Sequence, residues 1–156
     1  MRDQNRNRLA LIDQRFGRRE APAEPAGETF EQRFDRAAAE VIRPVMDEVA
    51  AELASLGHAP EVSIEPVDHE GRRCDRAIAL RLGIRGVSGR PNFIALAVIR
   101  WKIAGRAEDK PEVLAFHQKD RVPFDLIRFA SPEEITRDVV EQLLVDSVES
   151  LFAQNA

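Results

Sequence analysis

Hydrophobic residues recur with two different periods along this chain. In residues 30–56 they fall every three or four positions, as on one face of an amphipathic helix. Between residues 62 and 129 they alternate with small or polar residues, as they do in β-strands. The helical period returns after residue 131. The chain is therefore predicted to have an α+β fold in which two helices flank a sheet.

The first predicted helix is long and has a signal at each end. Thr29 and Gln32 match a capping box, in which each side chain bonds the other residue's backbone N–H. Gly57 is typical of a helix C-terminus because it tolerates a positive φ. Pro44 lacks the N–H that an interior residue donates and crowds the preceding turn, so we expect a kink near residues 40–44.

Four or five strands are predicted to form an antiparallel meander. Short turns join them, the first at residues 68–73, and no helical pattern separates them. Pro123 places the fifth strand at the sheet edge. The last helix is expected to start with a second capping box, Ser131-Pro132-Glu133-Glu134. The strand segments are residues 62–65, 77–82, 92–103, 113–118 and 122–129.

The strand residues sort by parity into a bulky face and a small-residue face. We expect the two helices to cover the bulky face in a two-layer domain, and the small-residue face to receive a second copy of the chain or another partner. The alternatives are that small residues only accommodate sheet twist, or that residues 1–19 fold back over them. The bulky set is Val62, Ile64, Ile78, Leu80, Leu82, Ile94, Leu96, Val98, Leu114 and Phe116. The small or polar set includes Ala77, Ala79, Arg81, Ala95, Ala97 and His117, with Trp101 at its margin.

Residues 1–28 are predicted to be an arm and linker, separate from a single domain at residues 29–156. Leu9, Ile12 and Phe16 would form an apolar stripe on a short helix flanked by six arginines. The segment after residue 19 contains two prolines and a glycine among alanines and glutamates, which is typical of an extended spacer. A tethered interaction segment and a frayed terminus are the two interpretations.

The composition is that of a globular protein in a reducing compartment. The 156 residues are 44% hydrophobic and 32% charged, which excludes a wholly disordered chain and fits one domain. The single cysteine, Cys74, excludes an internal disulfide framework and predicts a cytoplasmic location. The longest apolar runs are too short to span a membrane, and Leu9–Ile12 is too short for a signal-peptide core, so no membrane partner is expected.

Charge is segregated along the chain, although the net charge is only −4. Residues 20–71 contain thirteen acidic and three basic residues, and the basic segment (residues 72–106) contains nine basic residues and one acidic residue. One interpretation is that the basic segment binds nucleic acid or a phosphate ligand, with Trp101 stacking on a base and a glycine-rich loop presenting amides to an anion. The other is that it lies beside the acidic helices and neutralises them. The candidate ligand-binding residues are Arg81, Arg85, Arg90, Arg100 and Lys102.

Motifs for catalysis or metal binding are weak. His69 and Cys74 lie near each other in the sequence, but their spacing matches no zinc motif, so neither a metal nor a cofactor is expected. A small enzyme would need Cys74, His69 and His117 to meet in the fold, since the thiol needs a neighbouring base.

The sequence favours a non-enzymatic interaction or assembly module that forms a homo-oligomer or binds a partner protein. Nucleic-acid or phosphate binding through residues 72–106 is the first alternative, and a small Cys/His enzyme is the second. The candidate partner-binding residues are Leu9, Ile12, Phe16, Ala77, Ala79, Ala95, Ala97 and Trp101.

Overall fold

A computed structural model describes residues 27–84, 86, 92–102, 109–120 and 122–154, without the side chains of residues 101, 102 and 109. The predictions made for Leu9, Ile12 and Phe16 of the arm therefore lie outside the described residues. The same holds for Arg85 and Arg90, and for the side chains of Trp101 and Lys102.

The first helical segment begins as the sequence predicts. Thr29 Oγ1 accepts a hydrogen bond from the Gln32 N–H at 3.2 Å, and the Thr29 N–H donates to Gln32 Oε1 at 2.9 Å. The capping box is therefore confirmed. Three pieces follow one another from it, namely helix α1 (Phe30–Ala37), a π-helical turn (Ala38–Ile42) and helix α2 (Arg43–Ser55).

The π-helical turn lies directly before Pro44. Within it the Arg43 N–H donates to the Ala38 carbonyl, five residues earlier instead of four. A wider turn of this kind accommodates the proline ring, which would crowd the carbonyl of residue 40 in a regular α-helix. The interruption thus takes the form of a π turn between two α-helical pieces.

The sheet has five antiparallel strands, which confirms the α+β fold class. The strands in chain order are β1 (Ala59–Ser63), β2 (Val67–His69), β3 (Arg72–Cys74), β4 (Ala77–Gly83), β5 (Asn92–Lys102), β6 (Asp109–Lys119) and β7 (Val122–Phe129). The main sheet has the order β1-β4-β5-β6-β7, so β7 lies at an edge as Pro123 predicts. Ile64 follows β1 and is 61% exposed, so its assignment to the buried face is wrong.

Strands β2 and β3 form a separate hairpin that the sequence interpretation treats only as a turn. Glu70 and Gly71 connect them, and both have positive φ, 49° and 79°. Positive φ at both central residues is the signature of a type I′ turn, which normally has Asn or Asp at the first position. Glutamate at that position and strands of only three residues conceal the hairpin in the sequence.

The hairpin covers the small-residue face of the sheet. Val67 and Cys74 pack with the alanines of β4 and β5 in one buried cluster. No more than 4% of the surface of any of these alanines is exposed, so the prediction that this face receives a partner is wrong. Their small side chains leave room for the hairpin close above the sheet. The alanines concerned are Ala77, Ala79, Ala95 and Ala97.

Strand β6 has its parity reversed relative to the prediction. Its Leu114 lies opposite Ala97 in the antiparallel register, so Leu114 and Phe116 face the hairpin instead of the helices. His117 lies opposite Ile94 and consequently faces the helices. Residues 113–116 are all hydrophobic, so alternation along the sequence cannot decide which parity of this strand faces the helices.

Helix α3 (Arg137–Gln154) starts later than the sequence predicts. A 3₁₀ turn (Pro132–Glu134) comes first, and its Ser131 makes no side-chain capping bond, so the predicted capping box is wrong. Thr136 Oγ1 instead accepts from the Val139 N–H at 3.4 Å. In the described ranges, no helix combines the length and apolarity needed to cross a membrane.

An ion pair joins the first helix to the 3₁₀ turn. Arg33 donates through Nε and Nη2 to the two carboxylate oxygens of Glu133, each at 2.7 Å. This bidentate bonding lowers the pKa of Glu133 from its ordinary value of 4.5 to about 2.

The stability contributed by Glu133 should therefore depend on pH. Because its pKa is lower in the folded chain, the contribution is complete above about pH 4.5 and is lost as the pH falls towards 2. Glu133→Gln should lower the free energy of unfolding at pH 7 by about 0.5–1 kcal/mol, since Glu133 is largely exposed. Urea unfolding at pH 7, 4 and 2 measures the difference, with Glu149→Gln on the exposed face of α3 as the control. A deficit of the same size at pH 7 and pH 2 would contradict the assignment.

Candidate functional site

An open groove lies between strand β7 and the middle of helix α3. Its volume is about 460 Å³. We call it the β7–α3 groove, and its lining includes His117, Phe124, Ile127, Val139, Leu143 and Ser147.

Two buried polar side chains lie at the floor of the groove without a hydrogen-bond partner. His117 is 3% exposed and Ser147 is 1% exposed. Among the described residues nothing bonds either ring nitrogen of His117 or the hydroxyl of Ser147. A buried polar group left in this state costs about 1–3 kcal/mol, so such groups normally bond water or a ligand. The floor can therefore supply hydrogen bonds to an occupant.

Strand β7 carries an exposed apolar row, of which Phe124 and Ile127 line the groove and Val122 lies beyond it. Val122, Phe124 and Ile127 are 72%, 61% and 39% exposed. They lie opposite Lys119, His117 and Ala115 of β6, all on the side of the sheet that faces the helices. Exposed apolar side chains in one row typically mark an interaction surface.

A β-bulge keeps this row on one face. The pairing of β6 with β7 shifts between Ala115 and Phe116, which leaves Leu126 as the extra residue of β7. Phe124 and Ile127 are three positions apart and would point to opposite faces of a regular strand. The bulge places both on the groove side.

The imidazole of His117 is held in place and neutral. Phe124 stacks on it with the ring centroids 5.2 Å apart and the ring planes 12° apart. Burial lowers the pKa of His117 below its usual value of 6.5, so the ring is neutral at pH 7 and offers one donor and one acceptor.

Helix α3 adds negative charge beside the groove. Asp146 lines the groove and accepts a hydrogen bond from Gln142 at 2.8 Å. The other acidic residues that α3 exposes are Asp138, Glu141 and Glu149. The surroundings of the groove therefore favour a cationic or neutral occupant over an anion.

Arg76, Arg81 and Arg100 of the basic segment bond carboxylates. Arg100 donates to Glu31 with Nε at 2.8 Å from the carboxylate, and Arg76 bonds Asp35, also on α1. Arg81 donates through Nε to Glu65 at 3.0 Å and lies over the ring of Phe93. For these residues the structure agrees with the interpretation that the basic segment neutralises acidic elements.

The three residues of the Cys/His enzyme hypothesis do not come together. Cys74 lies opposite Val67, at the other end of the hairpin from His69. Burial raises the pKa of the Cys74 thiol, and the carboxylates of Asp68 and Asp75 raise it further, so the reactive thiolate is disfavoured. His117 lies on the opposite face of the sheet.

Comparison of the chain with protein-family models, with curated proteins and with solved structures gives no match in any of the three.

The groove itself is not predicted from the sequence, because the exposure of β7 depends on where α3 crosses the sheet. The apolar residues of segment 122–129 beside Pro123 are the one sequence signal that points to it.

The effect of replacing Ser147 on the free energy of unfolding should show that its hydroxyl has no hydrogen-bond partner in the monomer. Ser147→Ala removes a buried polar group that lacks a bond, so the monomer should be stabilised by about 1 kcal/mol. Denaturant unfolding at a concentration where light scattering shows a monomer measures this, with Ser150→Ala on the same helix as the control. Destabilisation by Ser147→Ala of 1 kcal/mol or more would show that the hydroxyl is already bonded within the monomer.

Proposed function

We propose that the protein is a non-enzymatic assembly module of the cytoplasm, in which the arm of one copy (residues 1–19) binds the β7–α3 groove of a second copy. The observation that carries this proposal is the exposed apolar row Val122, Phe124 and Ile127 above the unpartnered His117 and Ser147.

The arm and the groove have complementary chemistry. The sequence of the arm combines six arginines with the apolar residues Leu9, Ile12 and Phe16 at helical spacing. The groove combines an apolar rim with the acidic surface of α3. An apolar stripe from residue 9 to residue 16 would be about 10 Å long on a helix, and the row from residue 122 to residue 127 is about 17 Å long on a strand. The row is long enough to receive the stripe.

The linker of residues 20–28 is long enough for the arm of one copy to reach the groove of a second copy. The Arg33–Glu133 ion pair places the start of α1 beside the turn that precedes α3, and Val139 in the first turn of α3 lines the groove. Residues 20–28 can span up to about 30 Å, comparable to the length of α3. Because each copy carries one arm and one groove, reciprocal exchange gives a closed two-fold dimer.

A helix lying in the groove is favoured over a strand added to the edge of the sheet. Pro123 lacks a backbone donor, and the bulge at Leu126 interrupts the regular ladder of β7. Both features oppose pairing of β7 with another strand, whereas neither affects packing onto its apolar side chains. Protein binding is also favoured over nucleic-acid binding, since Arg76, Arg81 and Arg100 already bond carboxylates.

Two variants of the full chain test the exchange. Phe16→Glu places a charge in the arm, and Phe124→Glu places one in the groove. Either should weaken association by more than about tenfold, because a central aromatic anchor commonly contributes 2 kcal/mol or more. Analytical ultracentrifugation of each variant measures this, with Leu56→Glu as the control because Leu56 is equally exposed, 61%, and lies at the C-terminal end of α2.

Mixing the two variants distinguishes exchange between copies from docking within one chain. The Phe16→Glu chain keeps its groove and the Phe124→Glu chain keeps its arm, so one arm–groove contact can form in a mixed dimer. We expect the mixture to associate where each variant alone does not. A mixture that stays monomeric would contradict exchange between copies, and a dimer unaffected by either substitution would contradict the proposal as a whole.

A further inference from the structure

The end of the hairpin brings a histidine and two carboxylates together. His69, the last residue of β2, is 3% exposed, and its Nε2 lies 2.6 Å from Oδ1 of Asp125 on β7. The imidazole packs edge-on against Phe116, with the ring centroids 4.7 Å apart. Packing therefore fixes the ring before any ligand binds.

Glu70 adds the second carboxylate from an uncommon backbone conformation. It has φ 49° in the tight turn, where a residue with a branched or long side chain is seldom found. Ligand atoms of His69, Glu70 and Asp125 all lie within 4.8 Å of one another. The exposed side chain of Glu70 can approach the other two with little cost.

We propose that His69, Glu70 and Asp125 bind a divalent transition-metal ion such as Zn²⁺ or Mn²⁺. One imidazole nitrogen and carboxylate oxygens suit these ions, whereas Ca²⁺ and Mg²⁺ are bound by oxygen alone. Two carboxylates balance the charge of the ion, and Arg128, 4.0 Å from Asp125, limits the affinity. Three protein ligands leave at least one coordination position for water.

The ion would link the hairpin to the edge of the main sheet. His69 and Asp125 already bond each other there, so the ion replaces one contact between the hairpin and β7 with coordination by three residues. Asp125 also lines the β7–α3 groove, but its carboxylate bonds His69 of the hairpin, and the metal proposal uses none of the apolar side chains on which the assembly proposal rests.

Calorimetric titration of the EDTA-treated full chain with ZnCl₂ and with MnCl₂ tests the site. We expect one ion per chain and a melting temperature that rises with metal concentration. Glu70→Gln and Asp125→Asn should each weaken binding at least roughly tenfold, since even residues that only support ligands change affinity by about 10–100-fold. Asp75→Asn, at the other end of the hairpin and 82% exposed, is the matched control and should change nothing.

The Glu70→Gln variant keeps the test valid if other changes disturb folding, because residue 70 is exposed at the end of the hairpin. Circular dichroism should show an unchanged fold for it. Absence of saturable binding by either ion would overturn the proposal. So would binding that has the same affinity in the Glu70→Gln, Asp125→Asn and parent chains.

Discussion

Strands β4, β5 and β6 are buried on both faces, so other elements must cover each face of the sheet. The helices cover one face, and the β2–β3 hairpin covers the other. Leu80 and Ala79 are neighbours on β4, point to opposite faces and are both fully buried. The helices cover the bulky side chains of β4 and β5 on one face, and the cluster on the hairpin face combines the alanines of these strands with bulky residues such as Leu114 and Phe116 of β6. The alanines are thus part of the interior of the domain. A partner could reach them only if the hairpin moved away.

The helical cover stops before the last strand, and this gives the molecule its free apolar surface. Phe129 at the end of β7 is buried in the core that the helices cover, whereas Phe124 and Ile127 are exposed. The same geometry places His117 and Ser147 where the interior meets the groove, each buried and without a described partner. An apolar rim over unsatisfied polar groups is the arrangement expected of a surface that is completed by an occupant. On the opposite face of the same edge, His69 and Asp125 join the hairpin to the sheet.

Local signals predict the elements better than they predict how the elements cover one another. The capping box at Thr29 and the edge position of β7 follow from residue chemistry at single positions, and the α+β class follows from the change of hydrophobic period along the chain. The hairpin is missed because Glu70 occupies a turn position where asparagine or aspartate is the usual signal. The predicted parity of β6 is wrong because residues 113–116 are hydrophobic on both faces, which is typical of a strand covered on both sides. The groove cannot be predicted, since it results from the position of α3 over a particular strand.

The alanines are interior, and we propose that contact with another chain occurs along β7 and α3. Hydrogen–deuterium exchange of the full chain, followed by mass spectrometry at concentrations below and above the midpoint of association, tests it directly. Association should slow exchange in residues 1–19, 122–129 and 139–150 and leave residues 77–83 and 92–99 unchanged. Slower exchange in residues 77–83 and 92–99, with residues 122–129 unaffected, would contradict it.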